Sequence, residues 1–352
     1  MIFRSRLLLG GCLLAATLSA HTYDTGRPDA HAPIAVMGDH YHQAGEWMLS
    51  YRFMSMDMDG MRSGTDRLTP AEVFADNYTV TPVRMTMDMH MVGAMYAPDD
   101  AVTLMVMGNY RENAMDHVIF PMASPLIALN GGSDTFTTES SGWGDTSVTA
   151  LVRLWENEAT RLHLNLGISL PTGSIDEEAV VPGPGGRVPR ILPAAMQLGS
   201  GTWDLKPAIT VQHQFSSGSV GAQASAVWRL DENDRGYRHG HVLQLESWGS
   251  YVLAPWASLG VTLRYRHTGQ LSGNQAGLAR NPPFAPARRT VTTAFGENYG
   301  GERLEGGLGL NLQVPGTGHR LALEIRQPLW QAFDGPRLET DRITTLGWQW
   351  SF

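Results

Sequence analysis

From Glu46 onward the chain is a succession of short segments in which apolar and polar residues alternate at every second position. That is the pattern of a β-strand with one apolar face. Leu162, Leu164, Leu166, Ile168 and Leu170 alternate with Arg161, His163, Asn165, Gly167 and Ser169. Leu304, Leu308, Leu310, Leu312 and Val314 alternate with Arg303, Glu305, Gly309, Asn311 and Gln313. Twelve segments follow this rule, at about 46–58, 82–96, 101–111, 144–156, 160–171, 203–215, 219–230, 241–253, 256–267, 302–314, 319–330 and 341–352. Fourteen strands are one alternative, because a further hairpin fits within 112–143 or 268–302, and ten is the other.

The connections alternate between short and long. Ala97–Asp100, Asn157–Ala159, Ser216–Ser219, Ala254–Pro255 and Pro315–Gly318 are short, whereas 59–81, 112–143, 172–202, 231–240, 268–302 and 331–341 are long. A soluble β-sandwich has no reason to sort its loops in this way, but an outer-membrane barrel has short periplasmic turns and longer outer loops. Aromatic residues gather at segment ends (Trp47, Tyr110, Trp155, Trp203, Trp228, Tyr251, Trp256 and Trp330), where amphipathic rings sit at headgroup level. The expected fold is therefore all-β, a transmembrane antiparallel up-and-down β-barrel of twelve strands, closed so that lipid meets no unpaired strand edge.

The N-terminus places that barrel. Arg4 and Arg6 precede the apolar run Leu7–Leu18, and Ser19 and Ala20 follow it, as in a secretory signal peptide over 1–20. The run is shorter than the roughly 20 residues of a spanning helix. Cys12, the one cysteine, lies within it, so a chain cleaved near Ala20 needs no disulfide. Leu9-Gly10-Gly11-Cys12 only faintly matches a lipoprotein box. Residues 21–45 form a periplasmic N-terminal segment that could plug the barrel, and 46–352 form the barrel itself. The expected location is the outer membrane of a Gram-negative bacterium, with membrane lipid as a partner. The formal charge of -8 argues against nucleic acid.

The last strand ends Leu346-Gly347-Trp348-Gln349-Trp350-Ser351-Phe352. Its alternating aromatics resemble the signal read by the barrel assembly machinery, a second expected partner. Gly167-Ile168-Ser169-Leu170-Pro171-Thr172-Gly173-Ser174, with Gln197-Leu198-Gly199-Ser200-Gly201-Thr202-Trp203-Asp204, resembles the paired rim motif of outer-membrane transporters of the phenol-degradation meta-pathway type, which are distantly like long-chain fatty-acid transporters. The resemblance implies a passive channel for small, often hydrophobic or aromatic solutes. In this chain the N-terminal part is rich in methionine and histidine, which departs from that pattern.

Placing each strand's polar face inward gives a lumen containing Arg52, Arg84, Arg111, Arg153, Arg161, Arg229, Arg264 and Arg266, joined by Arg303 and Arg326. The inward acids on the same rule are Asp88, Asp145, Asp204, Glu246, Glu305 and Glu324. Rings of charge bias a pore toward one sign of solute, unless the charges pair across strands.

Of the 17 methionines, 15 lie between residues 37 and 122, so they are concentrated near the N-terminus. Alternation turns Met54, Met56 and Met58 inward, together with Met105 and Met107, and assigns Met85, Met87, Met89 and Met91 to lipid beside the inward Asp88 and His90. Met61 falls in an outer loop. Thioethers and imidazoles are soft or borderline ligands that suit copper or silver ions. The candidate metal set is therefore His40, His42, Met54, Met56, Met58, Asp88, His90, Met105 and Met107, for a bound or transported ion, with no resident cofactor. The alternatives are a channel for aromatic or hydrophobic compounds, or a structural or adhesion barrel. No enzyme is expected, because His213 and His267 lack a serine–acid partner motif.

Overall fold

The computed structural model describes residues 23–352 apart from 184–185, 276–277, 279–280 and 283–285. The expected signal peptide lies outside the described residues. The barrel strands are β1 (Trp47–Gly64), β2 (Tyr78–Tyr96), β3 (Val102–Ile119), β4 (Thr135–Trp143), β5 (Thr146–Glu156), β6 (Thr160–Leu170), β7 (Asp204–Gln214), β8 (Gly218–Arg229), β9 (Val242–Ala254), β10 (Ala257–Thr268), β11 (Gly301–Gln313) and β12 (His319–Ser351).

Apart from β4 and β5, which both pair with β3, each strand pairs antiparallel with its neighbour in sequence, and β1 pairs with the end of β12 to close the ring. β4 and β5 together make one bent stave, since they pair with the upper and lower parts of β3 respectively. β12 supplies two staves. Residues 320–333 pair with β11 and residues 337–351 with β1, while the Gln331 side chain bridges the backbone of Thr340 across the hairpin. Twelve labelled strands, with one pair merged and one strand doubled, thus form twelve staves. The expected all-β closed barrel is what the chain forms.

The local sequence explains the turns. Asp99 accepts from the backbone N–H groups of Ala101 and Val102, and Asn157 accepts from those of Ala159 and Thr160. Both are Asx turns that reverse the chain within a few residues. Gly316 and Gly318 adopt φ of 72° and 70° in the β11–β12 turn, a region that favours glycine. At the opposite end, the helix Pro70–Ala75 starts from a Thr69/Glu72 capping box.

The outer surface shows a band of exposed apolar side chains between two aromatic levels. At the turn end Trp47 stacks on Tyr96 and Trp350 lies against Phe352, both at 4.4 Å between centroids. Toward the loop end Tyr110 meets Trp143 edge-on, and Trp203, Trp228 and Trp330 are exposed. Between these levels Leu104, Val106, Leu166, Ile209, Leu245, Val261, Leu308 and Ile325 point outward. This is the girdle arrangement of a lipid-facing barrel. Among the described residues no helix is long and apolar enough to cross a membrane.

The strands outrun the expected lengths. Much of 59–81, 112–143 and 331–341, read from the sequence as loop, is strand: β1 runs to Gly64, β2 begins at Tyr78, β3 runs to Ile119, β4 begins at Thr135 and β12 is unbroken. The outward positions of β1 and β3 there include Asp59, Glu112 and Asp116, so the unbroken apolar alternation that marks a lipid-facing strand is missing. Met61 accordingly lies in a strand, 2 % exposed, and packs with Val73, Tyr78, Met85, Met115 and Leu338.

Candidate functional site: a two-walled lumen and the segment crossing it

Directly paired residues of antiparallel strands point to the same face. One fixed residue therefore orients its neighbours. Met48, Ser50 and Arg52 are buried whereas Trp47, Leu49 and Tyr51 are exposed, so even-numbered positions of β1 face inward. Met54, Met56 and Met58 share that face, opposite Met89, Met87 and Met85 of β2. Those residues pair in turn with Arg111, Asn113 and Met115 of β3, while Met95 and Gly93 pair with Met105 and Met107.

This corrects the expected orientation of β2. Met85, Met87, Met89 and Met91 line the interior, and Arg84, Thr86, Asp88 and His90 face outward. Asp88 pairs with Ser55 and Arg84 with Asp59, while His90 pairs with Phe53. The Tyr51 hydroxyl and His90 Nδ1 are hydrogen-bonded at 2.7 Å on the outer surface. Arg84 therefore leaves the set of lumen arginines, and Asp88 and His90 leave the set grouped with the inward methionines. The physical reason is the medium outside. β2 rises above the aromatic level, where the outer face meets water and polar residues belong there. The interior can then be apolar, and methionine fills it.

The result is a thioether wall on β1–β3. Its loop end packs against Leu192, Met196 and Phe295 of the outer loops. Its turn end, Met48, Met95 and Met105, packs with Tyr41 and Leu151. At the loop end, Val80, Leu126, Phe136, Val181, Ile191 and Leu192 help line a largely apolar cavity of about 490 Å³.

Across the ring, β9–β12 carry a charged wall. Arg264 contacts both carboxylate oxygens of Glu246 at 2.8 Å, Arg303 Nε lies 2.6 Å from Glu305, and Arg326 Nε lies 3.0 Å from Glu324. Glu305 and Glu324 are fully buried. Arg266 adjoins this wall, paired with Arg303. Arg229 pairs with Asp204, and Arg111 donates to Asn109. At the turn end, Arg153 and Arg161 lie against the Tyr41 ring and share Glu156. Arg52 is buried beside Gly347. Arg320, 4 % exposed, was missed although it precedes Leu321 in the same alternation.

Residues 23–46 cross the turn-end lumen, and side chains from around the ring hold their backbone. Gln212 and Ser219 donate to the Asp29 carbonyl, and Ser258 donates to that of Pro28. His163 Nε2 and Asn165 reach the Gly38 carbonyl, Gln223 that of Met37, and Arg320 that of Ala32. The Ala35 N–H donates to Glu324, and the His42 N–H donates to Thr103. Gly260, Gly309 and Gly347 leave room for Pro33 and Ile34. A non-periodic segment thus uses the polar side chains of the strands as its hydrogen-bond partners.

Within this segment His31, Asp39 and His40 come together, with one ligand atom of each within 4.8 Å of the others. His42 lies beside them, its ring 5.1 Å from that of His40. Burial, reinforced by His40, pushes His42 down to about 3, and burial likewise holds His31 well below its ordinary value. Burial opposes ionisation of Asp39, yet His40, His31 and Arg320 together keep its carboxyl well below the usual carboxylate range. His40 and His42 share a cavity of about 340 Å³ with Met48. The candidate metal residues thus divide: Met54, Met56, Met58, Met105 and Met107 on the thioether wall, His40 and His42 in the crossing segment, and Asp88 and His90 outside.

The paired rim motif is stitched by Asp145. Its Oδ1 accepts from the Gly173 N–H at 3.0 Å, and its Oδ2 accepts from the N–H and hydroxyl of Ser200, both at 2.8 Å. Thr202 donates to Asp204 at 2.7 Å. Gly199 packs backbone to backbone on Gly173, and a Cβ there would overlap the Gly173 carbonyl and lie 2.7 Å from Asp145 Oδ1. Gly199→Ala is expected to cost about 1–3 kcal/mol through this overlap. A lowered urea midpoint, read from the mobility of folded barrel on cold gels, checks it, and an unchanged midpoint contradicts it.

A twelve-stave barrel with lipid-facing girdles, a lumen and sorted loops is an outer-membrane channel-type protein. Residues 108–296, more than half of the chain, match the family described as "Putative MetA-pathway of phenol degradation", and the chain belongs to that family of outer-membrane transporters. Among solved structures it is similar to an outer membrane channel from Pseudomonas putida F1, at 15% identity and a TM-score of 0.59 over 91% of this chain and 100% of the other. Lesser likenesses are to the transport unit of the autotransporter AIDA-I from Escherichia coli (11% identity, TM-score 0.48, 91% and 94% covered) and to the KdgM porin (10% identity, TM-score 0.39, 87% and 99% covered). No curated protein sequence matches.

Proposed function

We propose that the protein is a passive outer-membrane channel for small compounds with an apolar, aromatic-sized body, in which residues 23–46 act as a plug. The loop-end cavity carries this reading. Its volume of about 490 Å³ is in the range of small-molecule sites, and valine, leucine, isoleucine, phenylalanine, proline and methionine side chains dominate its lining. Met115 and Met196 of that lining belong to the packed cluster that continues into Met85 and Met87 of the thioether wall. A solute entering from the loops therefore meets flexible, polarisable sulfur surface, which adapts to varied apolar shapes. The arginines across the ring suit compounds that also carry a carboxylate or hydroxyl group. Orientation follows from the short turns, which face the periplasm in barrels of this kind.

Soft cations such as Cu⁺ or Ag⁺ are a second reading, favoured by one observation. The inward faces of β1–β3 carry Met85, Met87, Met89 and Met91 as well as the five methionines expected from the sequence.

Proteoliposome swelling at pH 8 with benzoate, against a polyol of similar size, tests the leading reading. Benzoate is expected to enter faster, and Phe136→Asp, which puts a charge in the cavity lining, is expected to reduce that advantage. Equal entry of the two solutes through the unaltered barrel would reject it.

A further inference from the structure

We infer that the crossing segment holds a borderline divalent metal ion, Cu²⁺ or Zn²⁺, on the imidazoles of His31 and His40 and the carboxylate of Asp39. This site is separate from the thioether wall and does not depend on which solute passes.

The geometry comes first. His31 Nδ1 and His40 Nδ1 face one another at 3.4 Å, and their rings meet edge-on with centroids 4.3 Å apart. Two imidazole nitrogens at roughly 2.0–2.1 Å from a tetrahedral ion stand about 3.4 Å apart, so this spacing is that of two ligands on one metal. The Asp39 carboxylate supplies the third donor, with Oδ1 2.8 Å from His40 Nδ1 and Oδ2 3.9 Å from His31 Nδ1. The Ala32 N–H donates to Oδ2 at 2.9 Å, which fixes the carboxylate as second-layer hydrogen bonds do at metal centres. Two imidazoles and one carboxylate suit Cu²⁺ or Zn²⁺ better than Ca²⁺ or Mg²⁺, which prefer oxygen, or Cu⁺, which prefers sulfur.

A second observation is independent of that triad. His42 Nδ1 faces Glu46 Oε2 at 3.3 Å, leaving Nε2 buried and, among the described residues, without a hydrogen-bond partner. His42 is 6 % exposed and lines the turn-end cavity together with His31 and His40. Buried imidazole nitrogens are rarely left unsatisfied, and the Nε2 atoms of both His40 and His42 are, which suits a cavity that takes up ions and water beside the triad. The cavity of about 340 Å³ opens the cluster to ions and water from the turn end.

The site joins residues nine positions apart in a stretch that has no regular secondary structure. An ion there closes the 31–40 loop and stiffens the part of the segment that the strands grip.

The test uses the full-length barrel, stripped with chelator and dialysed against Cu²⁺ and, separately, Zn²⁺. One ion per chain is expected, with copper EPR showing hyperfine coupling to imidazole nitrogen. His31→Gln together with His40→Gln is expected to weaken binding at least tenfold, while Met54, Met56 and Met58 changed together to leucine leave it intact. Folding of each variant is read from its heat-modifiable gel mobility. If the double histidine variant does not fold, the EPR spectrum of the unaltered protein decides, because a spectrum without nitrogen coupling would overturn the site. Non-saturable uptake, or binding lost only in the methionine variant, would overturn it equally. Benzoate flux on the same preparation reports the channel reading separately.

Discussion

Removing residues 23–45 is expected to raise single-channel conductance in planar bilayers severalfold while leaving a folded barrel. The segment occupies the turn-end lumen and is held by side chains of β3, β6–β8 and β10–β12. Most of those grips are single hydrogen bonds from neutral side chains such as Gln212, Ser219, Asn165 and Ser258 to backbone carbonyls. Each such bond contributes about 0.5–1.5 kcal/mol net, because water replaces the lost partner. In an emptied lumen water can reach these groups, so they are resolvated rather than stranded. The barrel's own ladders, which close through β1 and β12, do not involve the segment. Conduction depends on the narrowest part of the path, so clearing that part should dominate the measurement. Conductance equal to that of the full chain, with folding intact, would show that the limiting constriction lies in the outer loops instead.

Glu305→Ala is the substitution with the largest expected cost in stability, about 3–5 kcal/mol. Glu305 is 0 % exposed, touches Arg303 at 2.6 Å and lies 3.8 Å from both Arg264 and Arg326. Its carboxylate lies among three guanidinium groups, and only Glu246 and Glu324 remain to balance them. Removing one partner of a buried pair costs more than the pair contributes, since the remaining charge stays desolvated. Asp57→Asn provides the contrast. Asp57 contacts Arg342 at 2.9 Å on the outer surface, where Arg342 is exposed and Asp57 partly exposed. Its loss should cost no more than about 1 kcal/mol. Equilibrium unfolding in urea from lipid vesicles measures both, and equal costs would show that the lumen is wet enough to screen Glu305.

These two regions also mark how far the sequence could be read. The charged wall was legible. Arg264, Arg303, Glu305 and Arg326 alternate with leucine, isoleucine and tyrosine on lipid-spanning strands, where an apolar outside forces polar residues inward. The rim motif was visible as a pair of glycine-containing stretches, although its stitching by Asp145 needs three separate segments to meet. The thioether wall was only half legible. The inward position of Met54, Met56 and Met58 follows from Trp47, Leu49 and Tyr51, whereas the same polar-inward rule turns β2 the wrong way round. Arg84, Thr86, Asp88 and His90 read as a lumen face only where the outside is lipid, and much of upper β2 stands above that level.

The sequence by itself marked the alternating lipid-facing segments, the all-β closed barrel they build and the sorting of short turns from long connections. All of these follow from local alternation and turn chemistry. Only the tertiary structure decided which face of the upper β2 looks inward and where residues 23–46 lie. Alternation defines two faces but not their medium, and the same pattern changes meaning where the outside passes from lipid to water. The crossing segment has no period at all. Its position depends on hydrogen bonds to Gln212, Asn165, Ser219 and Arg320, which are far from it in the chain and meet it only once the barrel has closed.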